Sequence, residues 1–175
     1  MAKQDKKLYI EASGDVWEEM GALEALRIAI YNEQAAFDFY KSLLNVIENE
    51  GGKNTFTFLA EDEKRHRQLL EDRYQKESGG QTFVFDARRA KKVNVDVDSQ
   101  AGALDAVDMA IEAEKAASDF YTHGAEKTRD AGGKRMFESL AEDEDRHYEI
   151  LVAEREALLG GPYWFSMDEQ RVMEG

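Results

Sequence analysis

The chain has 175 residues, enough for one ordinary domain, and its 42% hydrophobic and 34% charged composition with a single proline suits long amphipathic helices better than turn-rich β architecture. The absence of cysteine excludes disulfides, thiolate zinc sites and cysteine-ligated iron, so any metal here takes oxygen and nitrogen ligands. A net charge of -14 opposes contact with nucleic acid or anionic lipid and favours cations.

The opening stretch, MAKQDKKLYIEASGDVW, has no apolar run long enough for a signal peptide or a membrane span, so a cytoplasmic protein without membrane contact is expected. Asp15 with Glu18 three places later has capping-box spacing and sets the start of a first helix. From there Leu23, Leu26, Ile30, Glu33, Phe37, Tyr40, Leu44 and Ile47 step by three and four, which predicts one buried helical stripe with a glutamate inside it. Gly51 and Gly52 fall where a turn is expected. A second helix follows, with the stripe Phe56, Leu59, Glu63, His66 and Leu70. Residues 79–102, GGQTFVFDARRAKKVNVDVDSQAG, lose this periodicity; a short β-hairpin is conceivable, and an extended crossover as long as the bundle is the better reading. A third helix carries Leu104, Val107, Ile111, Glu114, Ser118 and Tyr121, a second glycine pair at 132/133 marks a turn, and a fourth helix carries Phe137, Leu140, Glu144, His147 and Leu151. The bundle is thus expected over about 15–158, within a single domain spanning 1–175. The tail, 159–175, is expected to pack Tyr163, Trp164 and Phe165 on the bundle or on a partner subunit.

The two halves repeat each other at an offset of 81 residues: FLAEDEKRH at 58–66 returns as SLAEDEDRH at 139–147, and AIYNEQAAFDFY at 29–40 returns as AIEAEKAASDFY at 110–121. Two such units make an all-α antiparallel four-helix bundle of two helix hairpins. Glu33 and the Glu63/His66 pair lie nearly equidistant from the first turn, and Glu114 and Glu144/His147 from the second, so each hairpin sets its polar residues at one height. A full-length crossover makes the second and third helices parallel and relates the halves by a two-fold axis perpendicular to the bundle, which superposes the two polar layers.

Four carboxylates in one buried layer repel each other and lose hydration worth several kcal/mol each. The matched stripe positions hold no lysine or arginine to compensate. Two divalent cations would balance the charge, with one imidazole for each. Residues i and i+3 share a helix face, so Glu63 with His66, and Glu144 with His147, can hold one ion together while the carboxylate's second oxygen reaches the other. One glutamate from each of two helices plus Glu-x-x-His from each of the other two is a general pattern for paired metals in bundle cores. Oxygen-rich ligation with one imidazole per ion favours iron or manganese; two iron ions are the expectation, with manganese or mixed Fe/Mn occupancy as alternatives. Tyr40 and Tyr121 each follow a stripe glutamate by seven, as core aromatics or as catalytic residues that bond the carboxylates and supply protons or electrons. Asp62 and Asp143 precede the histidines by four and are candidates to orient an imidazole. Glu61 and Glu142 read as solvated charges, and His123 as a surface or lightly packed histidine.

On these residues (Glu33 in NEQAAFDFY, Glu63 and His66 in LAEDEKRH, Glu114 in AEKAASDFY, Glu144 and His147 in LAEDEDRH) the chain resembles the rubrerythrin branch of the ferritin-like superfamily over about residues 18–158. The resemblance implies a ferritin-like bundle and a carboxylate-bridged di-iron centre. Glu63 and Glu144 would bridge the irons, Glu33 with His66 would complete one, and Glu114 with His147 the other. It implies a non-haem di-iron oxidoreductase that reduces hydrogen peroxide or dioxygen with a diferrous centre and protects against oxidative stress. A ferroxidase or iron-storage protein is the alternative, and a structural bundle with a vestigial site is the third reading. Two departures are visible. The four-cysteine rubredoxin-like domain has no counterpart in a cysteine-free chain, so a separate electron-donor protein is expected, and a homo-oligomer, preferably a dimer, is anticipated. Ala117 stands where rubrerythrins carry a further glutamate, which leaves a six-ligand set closer to that of bacterioferritin.

Overall fold

The computed structural model describes residues 21–90 and 100–160. They form four helices, α1 (Ala22–Leu43), α2 (Glu50–Glu77), α3 (Gln100–Lys127) and α4 (Ala131–Leu159), and contain no strand. α1 packs on α2 and α3 on α4, and the hairpins meet where α2 faces α4. The expected stripes are the buried faces: Leu26, Ile30, Glu33 and Tyr40 on α1, and every stripe residue named for α2 and α4. The stripes are not evenly buried, with Leu23 exposed and Phe37, Leu104 and Ile111 half-buried.

The apolar core is split in two. One cluster gathers Tyr40, Leu43, Phe56, Leu59, Val107, Ala110 and Leu151. The other gathers Leu26, Ile30, Leu70, Tyr74, Tyr121, Phe137 and Leu140. The first draws on the end of α1, the starts of α2 and α3 and the end of α4, so α2 and α3 run parallel and the repeats are related by an axis across the bundle. The polar stripe residues lie between the two clusters.

The helix starts differ from expectation. The glycine pairs lie inside the first turns of α2 and α4, because the caps sit earlier: Asn49 accepts a hydrogen bond from the Gly52 amide at 3.1 Å, and Asp130 from the Gly133 amide at 2.8 Å. Gly133 serves a second purpose, since a Cβ there would lie 2.5 Å from Cζ of Arg73, a buried residue held by Asp130 and Glu77. α1 stops at Leu43, so Leu44 and Ile47 continue the stripe from the turn, with Ile47 still buried. The Asp15/Glu18 cap, the middle of the crossover and the aromatic tail lie outside the described residues.

The crossover leaves α2 at Gly79 and Gly80, whose φ of 74° and 99° suit glycine. It is then pinned by aromatics: Phe83 and Phe85 stand 5.7 and 5.1 Å from the Tyr31 ring, Phe83 stands 5.4 Å from Tyr74, and the Asp86 amide donates to the Tyr31 hydroxyl at 2.9 Å. These contacts hold the strap against α1 and α2 at the outset of its run. Phe56, fully buried with its ring 5.9 Å from that of Tyr40, closes the first cluster beside the polar layer. Phe56→Ala is expected to cost about 3–5 kcal/mol of stability in urea denaturation of the metal-free protein.

Candidate metal centre

The structure brings all six expected residues together. Glu33, Glu63, His66, Glu114, Glu144 and His147 are each at most 3% exposed. Their donor atoms fall into two groups, Glu33/Glu63/His66/Glu144 and Glu63/Glu114/Glu144/His147, each with all its atoms within 4.8 Å of one another. Glu63 and Glu144 belong to both groups.

The atoms explain the sharing. Glu144 presents Oε1 at 3.0 Å from His66 Nδ1 and Oε2 at 3.0 Å from His147 Nδ1. Glu63 does the same, Oε2 at 3.5 Å from His66 Nδ1 and Oε1 at 3.1 Å from His147 Nδ1. Each of these two carboxylates offers one oxygen to either side, as a bridge must. Glu33 and Glu114 serve one side each, with Oε2 at 3.7 Å from Nδ1 of His66 and of His147 respectively. The imidazoles stack with centroids 5.5 Å apart and an interplanar angle of 23°. Glu63 Oε1, both oxygens of Glu144 and Nδ1 of both histidines are buried without a hydrogen-bond partner. Orphaned donors of this kind are costly unless a cation takes their place. The donor set fits two metal ions.

Behind the ligands, the hairpins exchange partners. The Tyr40 hydroxyl of α1 donates to Oε1 of Glu114 on α3, and the Tyr121 hydroxyl of α3 donates to Oε1 of Glu33 on α1. Each terminal glutamate thus spends one oxygen on a tyrosine and keeps the other for the centre. The histidines follow the same rule: His66 Nε2 stands 3.2 Å from Asp143 Oδ2, and His147 Nε2 stands 3.2 Å from Asp62 Oδ2. The sequence spacing pointed to each aspartate's own helix. The contact goes to the opposite hairpin instead, because the two-fold packing of α2 on α4 carries each Asp across to the facing imidazole. With Nε2–H directed to an aspartate, the Nδ1 lone pair is free to face the centre.

Two arginines that the stripe reading passed over complete the surroundings. Arg65 bonds both Asp62 and Asp143, and Arg146 bonds Asp143. Their signal was an arginine immediately before each histidine, in both repeats. Glu61 and Glu142 are exposed, and His123 is half-buried beside Glu126, away from the centre. Ala117 is half-buried against the second apolar cluster.

Without metal, protons do the balancing. Burial, reinforced by the charge of Glu63, pushes the Glu33 carboxyl from 4.5 to about 8. Burial with Glu63 and Glu144 pushes Glu114 well above its ordinary value. Burial works against charge on His66 and His147, but the close carboxylates of the surrounding glutamates outweigh it and raise both. For Glu63, burial and Glu144 are outweighed by the adjacent imidazoles of His147 and His66, and its pKa is lowered.

An all-helical bundle with a buried layer of four carboxylates and two imidazoles that could hold two metal ions has the arrangement of paired-metal bundle cores. The rubrerythrin family profile matches residues 24–155, and the chain belongs to that family. It is also similar to a solved structure, a hypothetical protein from Pyrococcus furiosus, with 34% identity over 82% of this chain and 95% of that one, at a TM-score of 0.72. No curated protein matches. Among the described residues no helix is long and apolar enough to cross a membrane.

The proton balance gives a pH test. The metal-free fold keeps a proton on Glu33 that the unfolded chain releases above 4.5, so stability from this group is complete below 4.5 and is lost as pH rises through about 8. The raised histidines act in the same direction above their ordinary value. The melting temperature of the metal-free protein is therefore expected to fall between about pH 5 and 8. Loading with a divalent cation at pH 7 should release protons from the groups whose pKa values the metal-free site raises, Glu33, Glu114, His66 and His147, measurable by calorimetry in buffers of different ionisation enthalpy.

Proposed function

We propose that the protein is a non-haem di-iron oxidoreductase that reduces hydrogen peroxide, with dioxygen as a slower oxidant, in protection against oxidative stress. The observation that carries this reading is the pair of carboxylates, Glu63 and Glu144, each offering one oxygen to either histidine. Such a pair holds two ions close enough to act on one small molecule. Iron is preferred for the oxygen-rich donor set with one imidazole per ion, with manganese or mixed occupancy as the rival metals. When bound, a ferrous pair supplies the two electrons that, with two protons, take one peroxide to two waters.

The chain's own residues provide the rest. Glu33 with His66, and Glu114 with His147, would hold one ion each. The Tyr40 and Tyr121 hydroxyls, fixed on Glu114 and Glu33, are positioned as proton donors at the two terminal carboxylates, and burial with the nearby glutamates keeps both phenols protonated by raising their pKa well above 10.0. The two apolar clusters on either side of the layer, with the burial of all six polar residues, keep bulk water from the centre. Electrons return from a separate donor protein in this proposal. A homodimer is the working assembly in this proposal.

Ala117 favours one rival. Without a further glutamate at that position, the six-ligand set also suits a ferroxidase that oxidises Fe(II) for storage. Stopped-flow absorbance on the diferrous protein separates the two: peroxide is expected to oxidise it faster than dioxygen, and the reverse order would hand the function to the ferroxidase. Size-exclusion chromatography is expected to give a dimer. A closed shell of many subunits would point to storage, and failure to bind metal after anaerobic Fe(II) addition would leave a structural bundle.

A further inference from the structure

The two imidazoles are held from behind by Asp62 and Asp143, and a single guanidinium touches both aspartates. Arg65 on α2 donates through Nη2 to Asp143 Oδ2 on α4 at 2.7 Å, and through Nε to Asp62 Oδ1 on its own helix at 3.0 Å. The first of these oxygens is the one that stands 3.2 Å from His66 Nε2; the second belongs to the carboxylate whose other oxygen stands 3.2 Å from His147 Nε2. The repeat-equivalent Arg146 turns back to Asp143 of its own helix. The near-symmetry of the two halves is therefore broken here: one arginine spans both hairpins, and its counterpart serves one.

The side chains divide in a way that suits this task. The Arg65 side chain is 47% exposed and that of Asp143 only 6%, so the guanidinium lies across the outer rim of the layer while its partner carboxylates reach inward. A planar fork can satisfy two acceptors at fixed angles, which a lysine ammonium cannot reproduce. Orientation passes inward through two hydrogen bonds on each side, from Arg65 to an aspartate and from that aspartate to an imidazole whose Nδ1 faces the shared glutamates, and on the His66 side Arg65 Nη2 also stands 3.3 Å from Nε2 itself.

Resting on the dimetal reading above, we infer that Arg65 is a positioning residue that acts on both metal positions at once, holding the two imidazoles in register through Asp62 and Asp143. Arg146, by contrast, supports the His66 position alone. Loss of the Arg65 fork leaves two inward-pointing carboxylates without their common cation, at the place where α2 meets α4. Both histidines then lose their fixed orientation together.

The test is Co(II) titration of the full-length protein, followed by visible d–d absorption and calorimetry, in wild type, Arg65→Ala, Arg65→Lys and Arg146→Ala, with far-ultraviolet circular dichroism of each metal-free variant. Wild type is expected to take up two ions. Arg65→Ala is expected to weaken both by about 10–100-fold at wild-type helical content, and Arg65→Lys to fall short of rescue because it restores the charge without the fork. Arg146→Ala is expected to weaken one ion only. Should Arg65→Ala fail to fold, Arg65→Lys carries the comparison alone, with weakened binding of both ions required. Wild-type affinity at both positions in the folded Arg65 variants, or a loss confined to one ion, would overturn the role given to Arg65. A wild-type protein that binds no Co(II) would instead remove the dimetal reading on which it rests.

Discussion

Four carboxylates are buried in one layer at the middle of the bundle, and the rest of the structure is arranged around making that layer tolerable. Glu33, Glu63, Glu114 and Glu144 lie between two apolar clusters, where each charge would lose several kcal/mol of hydration. Two routes to neutrality are open to the same side chains. Protons on the imidazoles and on Glu33 and Glu114 serve in the absence of metal, and two divalent ions with neutral imidazoles serve in their presence. Both routes offset the negative charge of the layer with the same side chains in place, so the bundle need not be rebuilt when one replaces the other.

The same constraint accounts for what surrounds the layer. A terminal glutamate with one oxygen bonded to a buried tyrosine has a fixed rotamer, and an imidazole with Nε2 bonded to an aspartate has a fixed ring plane and tautomer. The fixed side chains present their remaining atoms to one point. The apolar clusters above and below are stiff because they are close-packed, and Tyr40 and Tyr121 belong both to those clusters and to the hydrogen bonds of the layer. Packing and ligand geometry are thereby joined through two residues.

The buried polar residues and the helices that carry them were legible from the sequence because the stepping of three and four is interrupted in all four stripes by acid or imidazole, and the repeat doubles every interruption. The register between helices was legible too, since Glu33 and Glu63/His66 lie at matched distances from their turn. What spacing along one helix cannot reveal is which neighbour a side chain meets. Asp62 lies four before His66 and yet holds His147; Tyr40 lies seven after Glu33 and yet holds Glu114. Those pairings depend on the crossing of one hairpin over the other, a tertiary relation with no signature in a single helix. The glycine pairs misled for a different reason. Gly52 and Gly133 supply helix amides to the caps Asn49 and Asp130, and Gly133 also gives Arg73 room, so their smallness serves a first turn and not a loop.

The exchange of partners between the hairpins has a consequence for how the centre is assembled. Neither half contains a complete set of contacts for its own ligands, so the unit that can bind metal is the pair. The crossover, latched at Tyr31 by Phe83, Phe85 and the Asp86 amide, turns the meeting of the two halves into an intramolecular event. Effective concentration then replaces the association entropy that two free hairpins would have to overcome, and each centre receives one copy of each half whatever the dilution of the protein.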